Sequence, residues 1–358
     1  MKGHTLEKGV EYYHSADTDP RTQEKIAELK TALRDDLVIL GHHYQRDDVI
    51  RFADIRGDSL ILSRKAAEMD KKHIVFCGVY FMAECADILA AEDQRVYLPD
   101  RGAGCSMADM AGRDQVEKVW GHLTSRTSAR IIPVTYINST AAIKAFVGEH
   151  GGIICTSSNA SRIFDWAMER GDKIFFLPDR YLGKNTALAK GIPEDEIYLL
   201  DTLPEAPAVQ KSRIFLWNGY CSVHKYFRPE DIRRLRNAYP GIRIVVHGEC
   251  RDDVVRDADH FGSTSTIIER VSAAPEGSAW GIGTEQHLVH RLQEEFPGKT
   301  VLPLSEPGFQ CATMSMITPE SLLQVLKDIR DGREDRVIRV ENNIKSYAKT
   351  ALMRMLEL

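Results

Sequence analysis

The chain has no Cys-x-x-Cys pair, no long apolar run, no surplus of positive charge and no nucleotide-binding glycine loop, and each absence removes a class of function. Without paired cysteines a zinc ribbon is not expected, and seven cysteines are an odd number for a disulfide framework. No stretch approaches the ~18 apolar residues of a membrane span, so no membrane partner is expected. Lys and Arg total 47 against 52 Asp and Glu, a net charge of −5, which argues against a general binder of nucleic-acid backbones. There is no G-x-x-x-x-G-K-[ST] loop, and neither Gly102–Gly104 nor Gly281–Gly283 extends to G-x-G-x-x-G, so ATP and dinucleotides lack a cradle. The opening MKGHTLEKGVEYYHSADTDP carries no apolar stretch followed by a small-residue cleavage site, and a reducing cytoplasm is the expected location.

What the chain does have is a threefold repeat. Its 358 residues allow two or three domains at roughly 150 residues each. Three short apolar segments end in chemically capable residues: VILGHHY at Tyr44, IIPVTYIN at Asn138 and RIVVHGEC at Cys250. A second segment follows each, ending in small polar residues: ADIRGDS with Asp58 and Ser59, GGIICTSSNA with Ser157 and Ser158, and ADHFGSTS with Ser263 and Thr264. Tyr44 to Ser59 and Glu249 to Thr264 both span 15 positions, so the register is kept. An amphipathic helical stretch, a third strand (HIVFCGV, KIFFLPD, SAWGIGTE) and a fourth (RVYLPD, SRIFLWNG, KTVLPLSE) complete each set. One cysteine comes shortly after: Cys105, Cys221 and Cys311.

Strands alternating with helices predict parallel sheets covered on both faces, with ligands beyond the carboxyl ends of the strands. If the repeats face one another, the three cysteines and the three sets of strand tips converge. The expected partition is a first repeat over residues 20–107, a second over 108–224, a third over 225–316, and C-terminal helices over 317–358 that return to the body. Thr318-Pro319-Glu320 marks the first of those helices, with a hydroxyl at the cap and proline at the first turn.

Three thiolates from separate repeats suit a soft metal centre, either zinc or an iron–sulfur cluster, with one position left open to substrate. Cys77, Cys85 and Cys155 lie in apolar stretches and are read as packing residues. Cys250 competes with Cys311 for the third ligand, and repeat position favours Cys311. His42 with Tyr44, Tyr136 with Asn138, and His247 with Glu249 are each two residues apart, which on a strand puts both side chains on one face, while His43 faces the other way. His224, three residues after Cys221, sits where an acid/base group would. Ser59, Ser157, Ser263 and Thr264 precede helices, where hydroxyls and free backbone N–H groups suit anions and equally suit plain capping.

In order, GHHYQ, GDSL, FCGVYFMAE, GCSMADM, VTYINS, CTSSNA, FLPDRYLG, WNGYCSVH, HGEC, GSTS, GIGTE and CATMSM strongly resemble the quinolinate synthase family, from about residue 38 to 316. The resemblance implies three homologous α/β/α sandwich domains with small parallel sheets in pseudo-threefold arrangement around a [4Fe–4S] cluster. It implies condensation of iminoaspartate, supplied by an L-aspartate oxidase or a dehydrogenase, with dihydroxyacetone phosphate to give quinolinate, phosphate and water for NAD biosynthesis. Carried over by position, Cys105, Cys221 and Cys311 are the implied cluster ligands. His42, Ser59, Tyr136, Asn138, Ser157, His247, Ser263 and Thr264 are the implied substrate-binding set, and Tyr44, Tyr136, Glu249 and His224 the implied acid/base groups. Two departures stand out: HGEC replaces the usual His-Pro-Glu-Cys, with Gly248 loosening the turn, and Ser305 and Gly308 occupy positions where some members carry further cysteines, so a regulatory disulfide there is not available. Another iron–sulfur hydro-lyase would use the same three cysteines. A non-catalytic iron–sulfur redox sensor would not need the His, Tyr and Asn tips, and a zinc hydrolase fits least, since Cys₃ zinc without a histidine pair is uncommon in catalysis.

Overall fold

The computed structural model describes residues 19–358; the opening segment, where no leader is expected, lies outside them. The first repeat runs α1 (Pro20–Leu33), β1 (Leu37–His42), α2 (Asp47–Ile50), β2 (Ile55–Gly57), α3 (Ser59–Glu68), β3 (His73–Cys77), α4 (Tyr80–Leu89) and β4 (Arg95–Tyr97). The second runs α5 (Arg113–Thr124), β5 (Ile131–Tyr136), α6 (Ala141–Glu149), β6 (Ile153–Cys155), α7 (Ala160–Met168), β7 (Lys173–Leu177), α8 (Arg180–Ala189), β8 (Ile197–Leu200), α9 (Ala206–Lys211) and β9 (Ile214–Trp217). The third runs α10 (Pro229–Ala238), β10 (Arg243–His247), α11 (Asp252–Asp257), β11 (His260–Gly262), α12 (Thr264–Ser272), β12 (Ala279–Gly283), α13 (Gln286–Glu295) and β13 (Thr300–Pro303). α14 (Pro319–Arg330), β14 (Val337–Ile338) and α15 (Asn342–Leu356) close the chain.

The fold is α/β with three small sheets, and each contains the same strand sequence: β2-β1-β3-β4, β6-β5-β7-β9 and β11-β10-β12-β13. Every pairing within these sets is parallel. The central strands are buried along almost their whole length, as strands covered on both faces must be. Two further strands escape the repeat pattern. β8 adds to β9 in parallel at one edge, and β14 adds to β4 as the one antiparallel pairing among the described residues.

Helix starts follow the sequence signals. Asp58, Thr140, Asp179, Ser263 and Thr318 each accept a backbone N–H at the cap of the helix that follows. The first two sheets share one apolar core, which also takes in Leu322, Leu326, Leu352 and Met355 of the C-terminal helices. The third sheet instead has a separate small core on each face. α14 packs on α1 and α15 on α6. No helix among the described residues is long and apolar enough to cross a membrane.

The α6–α15 contact is close enough to be tested. A Cβ on Gly148 would lie 2.0 Å from Tyr347 O, whereas one on Gly121 in α5 meets nothing within 4 Å. Gly148→Ala is expected to destabilise the fold by about 1–3 kcal/mol through overpacking. Gly121→Ala, a helix-propensity gain without a clash, is expected to stabilise by about 0.5–1 kcal/mol. Denaturant unfolding of both variants checks the opposite signs.

Candidate functional site

The cysteine positions recur in structure as well as in sequence. After each of Cys105, Cys221 and Cys311 come two turn residues and then a single turn of 3₁₀ helix: Ala108–Met110, His224–Tyr226 and Met314–Met316. In all three the cysteine carbonyl accepts the N–H four residues on, from Asp109, Lys225 and Ser315. The turn aims backbone N–H groups at sulfur. Burial raises all three thiols, Cys105 to about 12, while N–H groups two and three residues on pull each back toward the thiolate. All seven cysteines are free.

The three cysteines open on one cavity, together with His42, Tyr44, Ser59, Tyr136, Asn138, Ser157, His224, His247, Glu249 and Thr264. Of the implied cluster ligands, substrate-binding residues and acid/base groups only Ser263 is not on its wall. Its hydroxyl accepts the Thr266 N–H at 3.1 Å, so the capping alternative holds there. The strand argument for the paired tips needs correcting, because β1, β5 and β10 end at His42, Tyr136 and His247. Tyr44, Asn138 and Glu249 stand just beyond the strands and reach the same cavity by the turn of the chain rather than by the pleat. His43 stays off the cavity wall; its carbonyl accepts from Arg291.

Those turns set the histidine tautomers. Tyr44 N–H donates to His42 Nδ1 at 3.1 Å, and Glu249 N–H to His247 Nδ1 at 3.3 Å. Each neutral ring therefore carries its proton on Nε2. Burial holds both histidines down to about 3.

Glu249 gathers the acid–base groups. Its Oε1 accepts from Tyr136 Oη at 2.5 Å and its Oε2 lies 2.9 Å from His224 Nδ1, whose ring stacks on His247 with centroids 4.4 Å apart. Burial pushes the Glu249 carboxyl up, but the His247 and His224 rings and the bonds from His224 and Tyr136 outweigh it and keep the group ionised. Burial and the Glu249 charge push the Tyr44 and Tyr136 phenols well above their usual range, so both stay protonated. Asn138 Oδ1 is buried on the cavity wall with no hydrogen-bond partner among the described residues, an acceptor free for a ligand N–H or O–H.

Sequence reasoning gave Asp58 no role beyond its place in a recurring segment end and passed over Thr284 and Glu285. Asp58 Oδ1 caps α3 through Leu60 and Ile61 N–H, and Oδ2 accepts from Ser158 at 2.6 Å and Ser265 at 2.7 Å. One carboxylate of the first repeat thus holds equivalent hydroxyls of the other two. Glu285 accepts the Cys311 N–H at 3.2 Å and fixes the turn that presents the third thiol. The recurrence of hydroxylated residues at one register flagged this region, but a cap and a hub look alike until the partners are known. Gly248 N–H donates to Gly262 O at 2.8 Å, extending the β10–β11 ladder where proline could not, so the departure in HGEC adds a bond rather than loosening the turn.

The donor set suits a cluster better than a single ion. A tetrahedral zinc with bonds of ~2.3 Å needs its sulfurs within about 4 Å of one another. The only cavity trio of candidate ligand atoms among the described residues that lies within 4.8 Å is Cys221, His224 and Glu249, not the three thiols. Three thiols spread around one wall, each with N–H groups aimed at sulfur, fit the larger body of an iron–sulfur cluster.

Comparison with known proteins agrees with this architecture. The family described as "Quinolinate synthetase A protein" matches residues 24–357. The chain is similar to a quinolinate synthase of Acidobacterium capsulatum, 49% identical over 95% of this chain and 94% of that protein. It resembles those of Herpetosiphon aurantiacus, 48% identical over 94% and 92%, and Bacillus cereus, 44% identical over 97% and 95%.

The two buried histidines give a pH test. Folded, they resist protonation down to about 3; unfolded, they take a proton below 6.5. The unfolded state then binds more protons, so stability is full above 6.5 and is lost as pH falls toward 3. Between pH 7 and 5 each histidine is expected to remove about 2 kcal/mol from the metal-free chain. His42→Asn should flatten that slope in urea titrations, and an unchanged slope would refute the assignment.

Proposed function

The chain belongs to the quinolinate synthetase A family, enzymes of NAD biosynthesis, and from that premise we propose that it condenses iminoaspartate with dihydroxyacetone phosphate to form quinolinate, releasing phosphate and water. The observation that carries the reading is the meeting of Cys105, Cys221 and Cys311, from three repeats, on the wall that also bears Glu249, Tyr136 and Tyr44. The three thiolates would hold a [4Fe–4S] cluster. Bound there, it supplies one iron without a cysteine, a Lewis acid that eases loss of a substrate hydroxyl.

The chain's own groups do the rest. Both substrates are anions, and Ser59, Ser157 and Thr264 present hydroxyls beside the starts of α3, α7 and α12, where backbone N–H groups and the helix dipole favour carboxylate or phosphate. His42 and His247, neutral with Nε2–H toward the cavity, donate to carbonyl or carboxylate oxygens without adding charge. Asn138 Oδ1 accepts the imine or amine N–H. Glu249, ionised, takes up protons released in condensation, and the phenols of Tyr136 and Tyr44 return them to departing oxygen. An iron–sulfur site of this kind, and substrate from an L-aspartate oxidase with which the enzyme would be functionally coupled, both suit the reducing cytoplasm.

Anaerobic iron and sulfide analysis of the purified chain is expected to give about four irons, the content of one [4Fe–4S] cluster, with a broad visible absorbance. Cys105→Ser should lose both. Cys250→Ser should keep them, because that buried thiol faces the Gly283 carbonyl at 3.6 Å and not the cavity. A zinc-only preparation that still turned over would overthrow the reading. Glu249→Gln, with its cluster intact, is expected to lose about 10²–10⁴-fold in kcat; near wild-type turnover would remove Glu249 from the chemistry.

A further inference from the structure

No lysine or arginine stands on the cavity wall among the described residues, although that wall carries the carboxyls of Asp58, Glu249 and Glu285 beside the three cysteines. The helix starts and neutral donors that suit anions therefore work against a negative background. Lys144, in α6, lies off the wall and directly behind it. It is fully buried, and its ammonium donates to the carbonyl of Ser139, the sequence neighbour of Asn138. Its Nζ also lies 5.4 Å from the centroid of the Phe81 ring. Phe81 and Asn138 both face the cavity, so one positive charge backs two residues of the wall.

That charge has no ion partner among the described residues. Glu84, on α4 of the first repeat, instead accepts the Ala141 N–H at 3.1 Å where α6 begins. Burial raises the Glu84 carboxyl and the Cys85 thiol, and the Lys144 charge pulls both back, which places its field across the junction of the first two repeats. A buried ion without a partner is costly. An anion in the cavity offsets that cost, and by the same interaction the ammonium favours the anion. The energy depends on the charges and the distance between them, and it requires no contact.

We propose that Lys144 is the buried counter-charge of this cavity, a positioning residue that holds the Asn138 turn and sets the affinity for anionic ligands in proportion to their charge. The proposal rests on the reading above that the cavity takes anionic substrates and releases quinolinate. It gives the cavity a preference for dicarboxylates over monocarboxylates of the same ring, because a ligand with two charges gains twice the free energy of a ligand with one. Acting from behind the wall, Lys144 attracts both without a hydrogen-bonded ion pair to break on release.

The test is anaerobic titration calorimetry of the cluster-loaded chain at pH 8 with quinolinate and with pyridine-2-carboxylate. It compares wild type with Lys144→Met, which keeps the length and apolar stem of the side chain without its charge. The Kd of quinolinate should rise about 100-fold and that of the monocarboxylate about tenfold, at equal iron content and visible spectrum. The smaller factor is the square root of the larger because the energy scales with ligand charge. A merely displaced Asn138 turn would weaken both ligands by the same factor, and that result, or an unchanged Kd for quinolinate, would overturn the proposal. If Lys144→Met does not fold, Glu84→Gln decides with the opposite sign. It keeps an oxygen for the Ala141 N–H and removes the negative charge that opposes Lys144, so quinolinate should bind about threefold tighter, and equal or weaker binding would overturn the proposal. A wild-type enzyme that neither makes nor binds quinolinate would sink the functional reading itself, whereas an active wild type whose Lys144→Met variant loses both ligands equally sinks the counter-charge alone.

Discussion

Asp58 is the side chain at which all three repeats meet, and the site has its shape because that carboxylate is ionised. Its two oxygens accept four hydrogen bonds, two from the start of α3 and one each from Ser158 and Ser265. That fills the roughly four lone-pair sites a carboxylate offers. Burial alone would push its pKa up, and the Ile61 N–H with the two serine hydroxyls overrides that and holds it below the usual range. A buried carboxylate with any of these bonds missing would be costly, so the four partners are fixed together. Ser59, Ser157 and Thr264 are each the sequence neighbour of one of the clamped residues, and their positions on the cavity wall follow from the clamp.

The rest of the cavity is arranged to keep charge scarce. His42 and His247 are held neutral, the phenols are held protonated, and Glu249 is the ionised group at the centre of the bonded network. Neutral donors can bind an anion without the strong ion pairs that would make its release slow. The orphaned Asn138 oxygen is the complementary feature, an acceptor amid donors.

Much of this was legible because parallel strands covered on both faces read as uninterrupted apolar runs, and because four features recur in the same order three times. The repeat register alone separated Cys311 from Cys250. What stayed hidden depends on distant partners. β8 is half-exposed and outside the repeat, and β14 is two residues long, so neither carries a period. Asp58 looks like an ordinary helix cap, and Thr284 like an ordinary residue at a strand end, until Ser158, Ser265, Tyr44 and His224 are placed beside them. Tyr44, Asn138 and Glu249 lie past their strands, so the paired tips share a wall through the turns and not through the pleat.

The shared core of the first two sheets has a consequence for how the molecule is made. By position 311 the growing chain carries every residue of the cavity wall except Thr313 and Met314. The core beneath sheets one and two still lacks Leu322, Leu326, Leu352 and Met355, and the faces of α1 and α6 that pack on α14 and α15 are bare until those helices arrive. A ribosome delivers residues N-terminal first at roughly 5–20 per second, so those apolar faces stay open until α14 and α15 have emerged. The earliest repeats therefore wait for the latest helices. Emergence of α14 and α15, more than formation of any one repeat, is what closes the apolar core of the first two sheets.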